Sequence, residues 1–211
     1  MMKSKLKKIL VGFSLMLIID ALFSTPVLWN MGLNSLHVGL LFAVGLLLGP
    51  YCALGAVFGN ALIDLSEGFT PLEILPSAII SFGVSYLAYK LWYSRVRDYK
   101  ITKPRLNNVY HLILFLSIIF ICGFVYSVAH GNLIYVIFSD TSGEYNSISY
   151  LLNFVNTAFI YGIIGIWLSK KFDFVETPKA SKRHANKRLY HILFCLLIIA
   201  TLLSYIPLIA D

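Results

Sequence analysis

A chain of 211 residues that is 58% hydrophobic, 15% aromatic and only 13% charged has too little polar surface to cover a water-soluble globule. Its mean hydropathy of +0.78 puts it among integral membrane proteins. The formal charge of +7 comes from 17 Lys and Arg against 10 Asp and Glu, and the placement of those cations makes it a signature of membrane orientation and argues against nucleic acid as a partner.

Apolar runs cover about 9–29, 36–63, 74–93, 106–129, 148–168 and 189–209, each bounded by polar or charged residues and near the roughly 20 residues that cross a bilayer as a helix. Runs of this length without alternation exclude a membrane barrel. The expected fold is therefore all-α: a polytopic bundle of six to seven transmembrane helices. The opening stretch MMKSKLKKILVGFSLMLIIDALFSTP has the basic start and apolar core of a secretory leader. No small-x-small cleavage site follows it, so it reads as the first membrane helix.

The second run carries the main ambiguity. All 17 cations fall in three segments: Lys3, Lys5, Lys7 and Lys8; then six between Lys90 and Arg105; then seven between Lys170 and Arg188. The loops 66–73 and 131–147 contain Glu67, Glu73, Asp140 and Glu144 but no Lys or Arg. The positive-inside rule places the three basic segments in the cytoplasm. An even number of crossings must then separate 1–8 from 90–105, so the run 36–66 crosses twice. Gly49-Pro50 is the natural break, because proline lacks a backbone donor and restricts the residue before it. Each half is only about 14–16 residues, or about 21–24 Å, short of a hydrocarbon core of roughly 30 Å.

The topology that follows has a cytoplasmic N-terminus, crossings at 9–29, 36–49, 50–66, 73–93, 106–129, 148–169 and 189–209, and Asp211 outside. Residues 1–172 form the main membrane domain, 173–188 a basic cytoplasmic connector, and 189–211 an additional C-terminal helix. The expected location is the cell membrane, with the lipid bilayer as the first partner.

Small residues mark close helix crossings. Gly45 and Gly49, and again Gly55 and Gly59, are spaced G-x-x-x-G, which lets backbones approach in lipid and favours internal packing over dimerisation here. Ionisable groups within membrane helices are costly and mark a cavity or a partner. Asp20 and Asp64 qualify, with His130 at the outer end of the fifth segment. Asn60 and Asp64 share a helix face one turn apart. With His37 in the first outer loop, and Tyr126, His130, Asn153 and Asn156 around the third, they delineate a polar, aromatic-rimmed outer site for a small molecule. The alternative is that these are interfacial residues at headgroup depth.

Other chemistries lack their residues. Cys52, Cys122 and Cys195 sit in apolar segments without C-x-x-C spacing, so neither a disulfide framework nor a zinc site is expected. The five histidines form no H-E-x-x-H pattern, and no phosphate-binding loop or G-x-S-x-G occurs. No cofactor and no enzymatic activity are expected.

The segment LHVGLLFAVGLLLGPYCALGAVFGNALIDLSEGFTP, with Gly49-Pro50 closing a short helix and GNALIDL (Gly59, Asn60, Asp64) closing a Gly-rich one, resembles the substrate-binding S components of energy-coupling factor vitamin transporters. The stretch LLNFVNTAFIYGIIGIWLSKKF, with Asn153 and Asn156 entering from outside, is similar to that family's closing helix. The resemblance covers roughly 5–172. It implies a six-helix substrate-capture subunit that takes a small molecule from outside and works with a transmembrane coupling subunit and ATPases. A weaker resemblance, to membrane sensory input domains of the MASE type, implies ligand binding in the service of signalling; a purely structural membrane protein is the third reading.

Overall fold

The computed structural model describes residues 2–23, 37–93, 103–130 and 147–178. The connector beyond 178 and the expected seventh helix at 189–209 lie outside the described residues, as do residues 24–36, 94–102 and 131–146. Five helices make up the structure: α1 (Met2–Phe23), α2 (His37–Ser66), α3 (Pro71–Tyr93), α4 (Val109–Val128) and α5 (Ser147–Lys171). No strand occurs among the described residues. Four of the helices, α2 to α5, are long and apolar enough to cross a membrane.

Helix α1 starts at Met2, within the basic stretch that the sequence reading placed ahead of the first span. Lys, Leu and Met are straight-chain helix formers, so the apolar helix simply propagates back through them. Helix α2 is broken at Gly49, whose φ of 80° and ψ of −178° are non-helical, immediately before Pro50. Glycine meets the positive φ without a Cβ penalty, and proline then suits the first position of a new helix. The two arms, 37–48 and 50–66, are therefore separate rods.

Contacts fix the direction of each rod. Gly55 lies against Ile9, Gly12 against Cys52 and Ala56, and Gly59 against Phe13 and Met16, so α1 and the second arm of α2 run parallel. The approach is so close that a Cβ on Gly12 would overlap the Cys52 carbonyl, and one on Gly55 would overlap that of Ile9. In lipid, such backbone contact is what holds helices together. Gly39 lies beside Thr157 and Ala158, and Leu47 beside Gly165, so the first arm runs parallel to α5. Helix α4 opposes both α3, through Cys122 at Val84 and Trp92 at His111, and α5, through Gly123 at Phe154 and Gly162 at Phe115.

Two buried clusters fill the spaces. Phe42 lies edge-on to Phe115 and Phe154, with centroids 6.1 Å apart in each pair, and joins the first arm to α4 and α5. Met16, Val44, Ala56 and Ile63 pack in the second cluster, between α1 and α2. Helix ends are capped locally. Glu73 caps the start of α3 by accepting from the Thr70 N–H and hydroxyl, each at 2.7 Å, one half of a capping box. Asn108 caps α4 by accepting from the His111 N–H at 2.7 Å.

Candidate functional site

The second arm of α2 ends at Ser66, at the same end of the bundle as Asp20 of α1 and the C-terminus of α4. Here Asn60 donates its side-chain amide to the Asp64 carboxylate at 2.9 Å, one helical turn away. In this arrangement the amide nitrogen is the donor and the carboxylate the acceptor. The Asn60 carbonyl oxygen is then left buried and without a partner among the described residues, on a side chain 5% exposed. Glu67 and Asp20 lie within reach of the Asp64 charge. Burial, and then the neighbouring Asp20, hold the Glu67 carboxyl above its ordinary value.

An aromatic group stands beside these acids. Tyr126, in the last turn of α4, and His130, just past its end, have ring centroids 4.2 Å apart. Tyr126 also packs against Phe154 at 5.3 Å, and Tyr150 lies 5.8 Å from His130. Tyr126 is within reach of the Asp64 charge, which joins the aromatic group to the polar one. His130 is 6% exposed, and its Nε2 has no partner among the described residues. Burial pushes its imidazole down to about 4, so the ring is neutral near pH 7 and offers one donor and one acceptor.

Of the sequence-derived candidates, Asn60, Asp64, Tyr126 and His130 thus gather at one end of the bundle. Asn153 is half-buried one residue before Phe154, whereas Asn156 is on the exposed face of α5, away from the group. His37 opens α2, and its side chain lies outside the described residues. Glu73 is committed to its helix cap. Among the glycines, Gly55 and Gly59 face α1, Gly45 faces the Ser85 backbone of α3, and Gly49 forms the break. Sequence reasoning missed Tyr150 and Phe154. Their i, i+4 spacing, repeated in Tyr126 and His130, was the available signal.

Two polar atoms without partners among the described residues, a carboxylate with one donor and a group of tilted aromatic rings can together receive a small molecule with hydrogen-bond donors and a flat or apolar body. No group of three or more His, Cys, Asp or Glu among the described residues is arranged to hold a metal ion. The chain matches no protein-family model, no curated protein and no solved structure.

Proposed function

We propose that the chain is a multi-pass membrane protein that captures a small molecule at its outer end, as the resemblance to energy-coupling factor S components implies. The observation that carries this reading is the pair of buried atoms, Asn60 Oδ1 and His130 Nε2, that have no partner among the described residues, at the end of the bundle that also holds Asp64. A buried polar atom without a partner costs about 1–3 kcal/mol, which a bound ligand would offset. In this reading α1, the two arms of α2, α3, α4 and α5 are six crossings with the N-terminus in the cytoplasm, and 189–209 adds a seventh. Supporting the orientation, Lys8 meets Glu176 just past the end of α5, beside Lys170 and Lys171, while Asp20, Asp64 and Glu67 lie at the opposite end. Transport would then require a separate coupling subunit and ATPases.

Cysteine labelling and thermal shifts on the same protein test the proposal. Phe69→Cys should react with an impermeant maleimide in intact cells, and Arg105→Cys only after permeabilisation. Within a panel of small nitrogen heterocycles and amines, at least one compound should raise the unfolding temperature of the wild type and fail to raise that of Asp64→Asn. Labelling with the opposite sidedness, or shifts equal in both proteins, would overturn the proposal.

A further inference from the structure

The end of the bundle that holds Asp64 gathers negative charge in a chain whose cations lie elsewhere. Asp64 is within reach of the charges of both Glu67 and Asp20, and Glu67 is within reach of Asp20. The segments that join the helices at this end, 24–36, 67–70 and 131–146, add Asp140 and Glu144 and contain no Lys or Arg. Along α1 the nearest cation is Lys8, twelve residues before Asp20 and so about 18 Å away along the axis. His130 is neutral near pH 7 and adds no positive charge. A second observation is independent of the acids. The Asn60 carbonyl oxygen is buried, on a side chain 5% exposed, and has no partner among the described residues, while the nitrogen of the same amide is engaged by Asp64. A buried acceptor in that state calls for a donor. Within reach of the Asp64 charge, Tyr126 stands edge-to-face with Tyr150, ring centroids 6.3 Å apart, and aromatic faces attract cations.

We propose that the molecule taken at this end is an organic cation, an ammonium or amidinium group on a flat apolar body, whose N–H groups donate to the Asp64 carboxylate and the Asn60 carbonyl oxygen. This names the ligand class of the site and rests on the ligand-capture reading. Each acid raises the cost of ionising its neighbours, so a positive charge arriving from outside the chain is favoured by all of them together. The N–H donors satisfy the acceptor that the Asn60–Asp64 bond leaves over, and a charge-assisted hydrogen bond to Asp64 is stronger than a neutral one. The apolar body of the cation suits the Tyr126 and Tyr150 rings, which offer a metal ion nothing. A hard metal ion takes six or more oxygen ligands, and no three His, Cys, Asp or Glu among the described residues are arranged to hold one.

Two readouts on the full chain in phosphatidylcholine nanodiscs test the proposal. The first reads charge without a ligand. Ser66 closes α2 on an exposed position one residue before Glu67. Ser66→Cys, in a Cys52→Ala/Cys122→Ala/Cys195→Ala background, is treated with a cationic and an anionic methanethiosulfonate. Relative to the same pair of rates for 2-mercaptoethanol, the cationic reagent should be favoured about ten-fold at low salt. That preference should shrink in Glu67→Gln and in Asp64→Asn. The second readout uses benzamidinium, benzamide and benzoate, one shape with three charges. Benzamidinium should raise the unfolding temperature at concentrations at least about ten-fold below those benzamide needs, the worth of a charge-assisted over a neutral hydrogen bond, and benzoate and calcium chloride should not raise it. Asp64→Asn should abolish the advantage of benzamidinium over benzamide. No preference for the cationic reagent at the introduced thiol would overturn the proposal. Equal shifts from benzamidinium and benzamide would also overturn it while leaving ligand capture standing. A cationic preference at the thiol with no shift from any of the three compounds would count against ligand capture itself, and the proposal would fall with it.

Discussion

Asn60 and Asp64 are joined by a 2.9 Å side-chain hydrogen bond that leaves the Asn60 carbonyl oxygen buried with no partner among the described residues. A structural pair would be expected to satisfy itself. This one holds a carboxylate in place and keeps an acceptor unused.

Replacing Asp64 with Asn keeps the shape and removes the charge. Ligand affinity should fall by about 1.5–3 kcal/mol, the range for a lost charge-assisted hydrogen bond, or roughly 10- to 150-fold. Titration calorimetry with a compound identified by thermal shift measures it. Unchanged affinity would remove Asp64 from the site.

Asn60→Leu separates binding from folding. It deletes a buried acceptor whose isolation costs about 1–3 kcal/mol, and it also takes from the Asp64 carboxylate its Asn60 donor, a loss of similar size. With the two opposed, the ligand-free variant should unfold close to wild type in detergent while its stabilisation by ligand disappears. A large loss of stability without ligand would make Asn60 a structural residue.

His130 gives the bundle a pH signature. Its folded value is pushed down to about 4 from an ordinary 6.5 by burial. Between these values the unfolded chain holds more proton than the folded one, so the contribution to stability is complete above about pH 6.5 and is lost as pH falls through 4. The unfolding temperature should drop between pH 7 and pH 5, and drop less in His130→Gln.

Glycines divide by what surrounds them. Gly83 has open space where a Cβ would stand, so Gly83→Ala should stabilise α3 by about 0.5–1 kcal/mol through helix propensity. Gly55→Leu forces α1 off the Ile9 carbonyl and should lower the unfolding temperature markedly. Equal effects at both sites would contradict the packing of α1 on α2.

The break in α2 could be read from the sequence because two independent signals coincide there: a Gly-Pro pair, and cation placement that demands an even number of crossings. Asn60 and Asp64 were legible because i, i+4 spacing puts polar residues on one face whatever the helix packs against. Asn156 was not. It lies three residues from Asn153, a rotation of about 60° from the same direction, and only packing decides that one is half-buried and the other exposed. Tyr150 and Phe154 were hidden for a related reason, since aromatic residues in an apolar helix carry no mark of which neighbour they meet. The Lys8–Glu176 pair joins opposite ends of the described chain, and no local pattern announces it.

A small molecule held at the outer end of the bundle should travel with the protein through gentle purification from its membrane. Native mass spectrometry of the full chain should show one small-molecule adduct per wild-type chain, lost from Asn60→Leu and from His130→Phe and retained in Asn156→Ala. A wild-type chain with no adduct, or an adduct equally present in Asn60→Leu and His130→Phe, would contradict it.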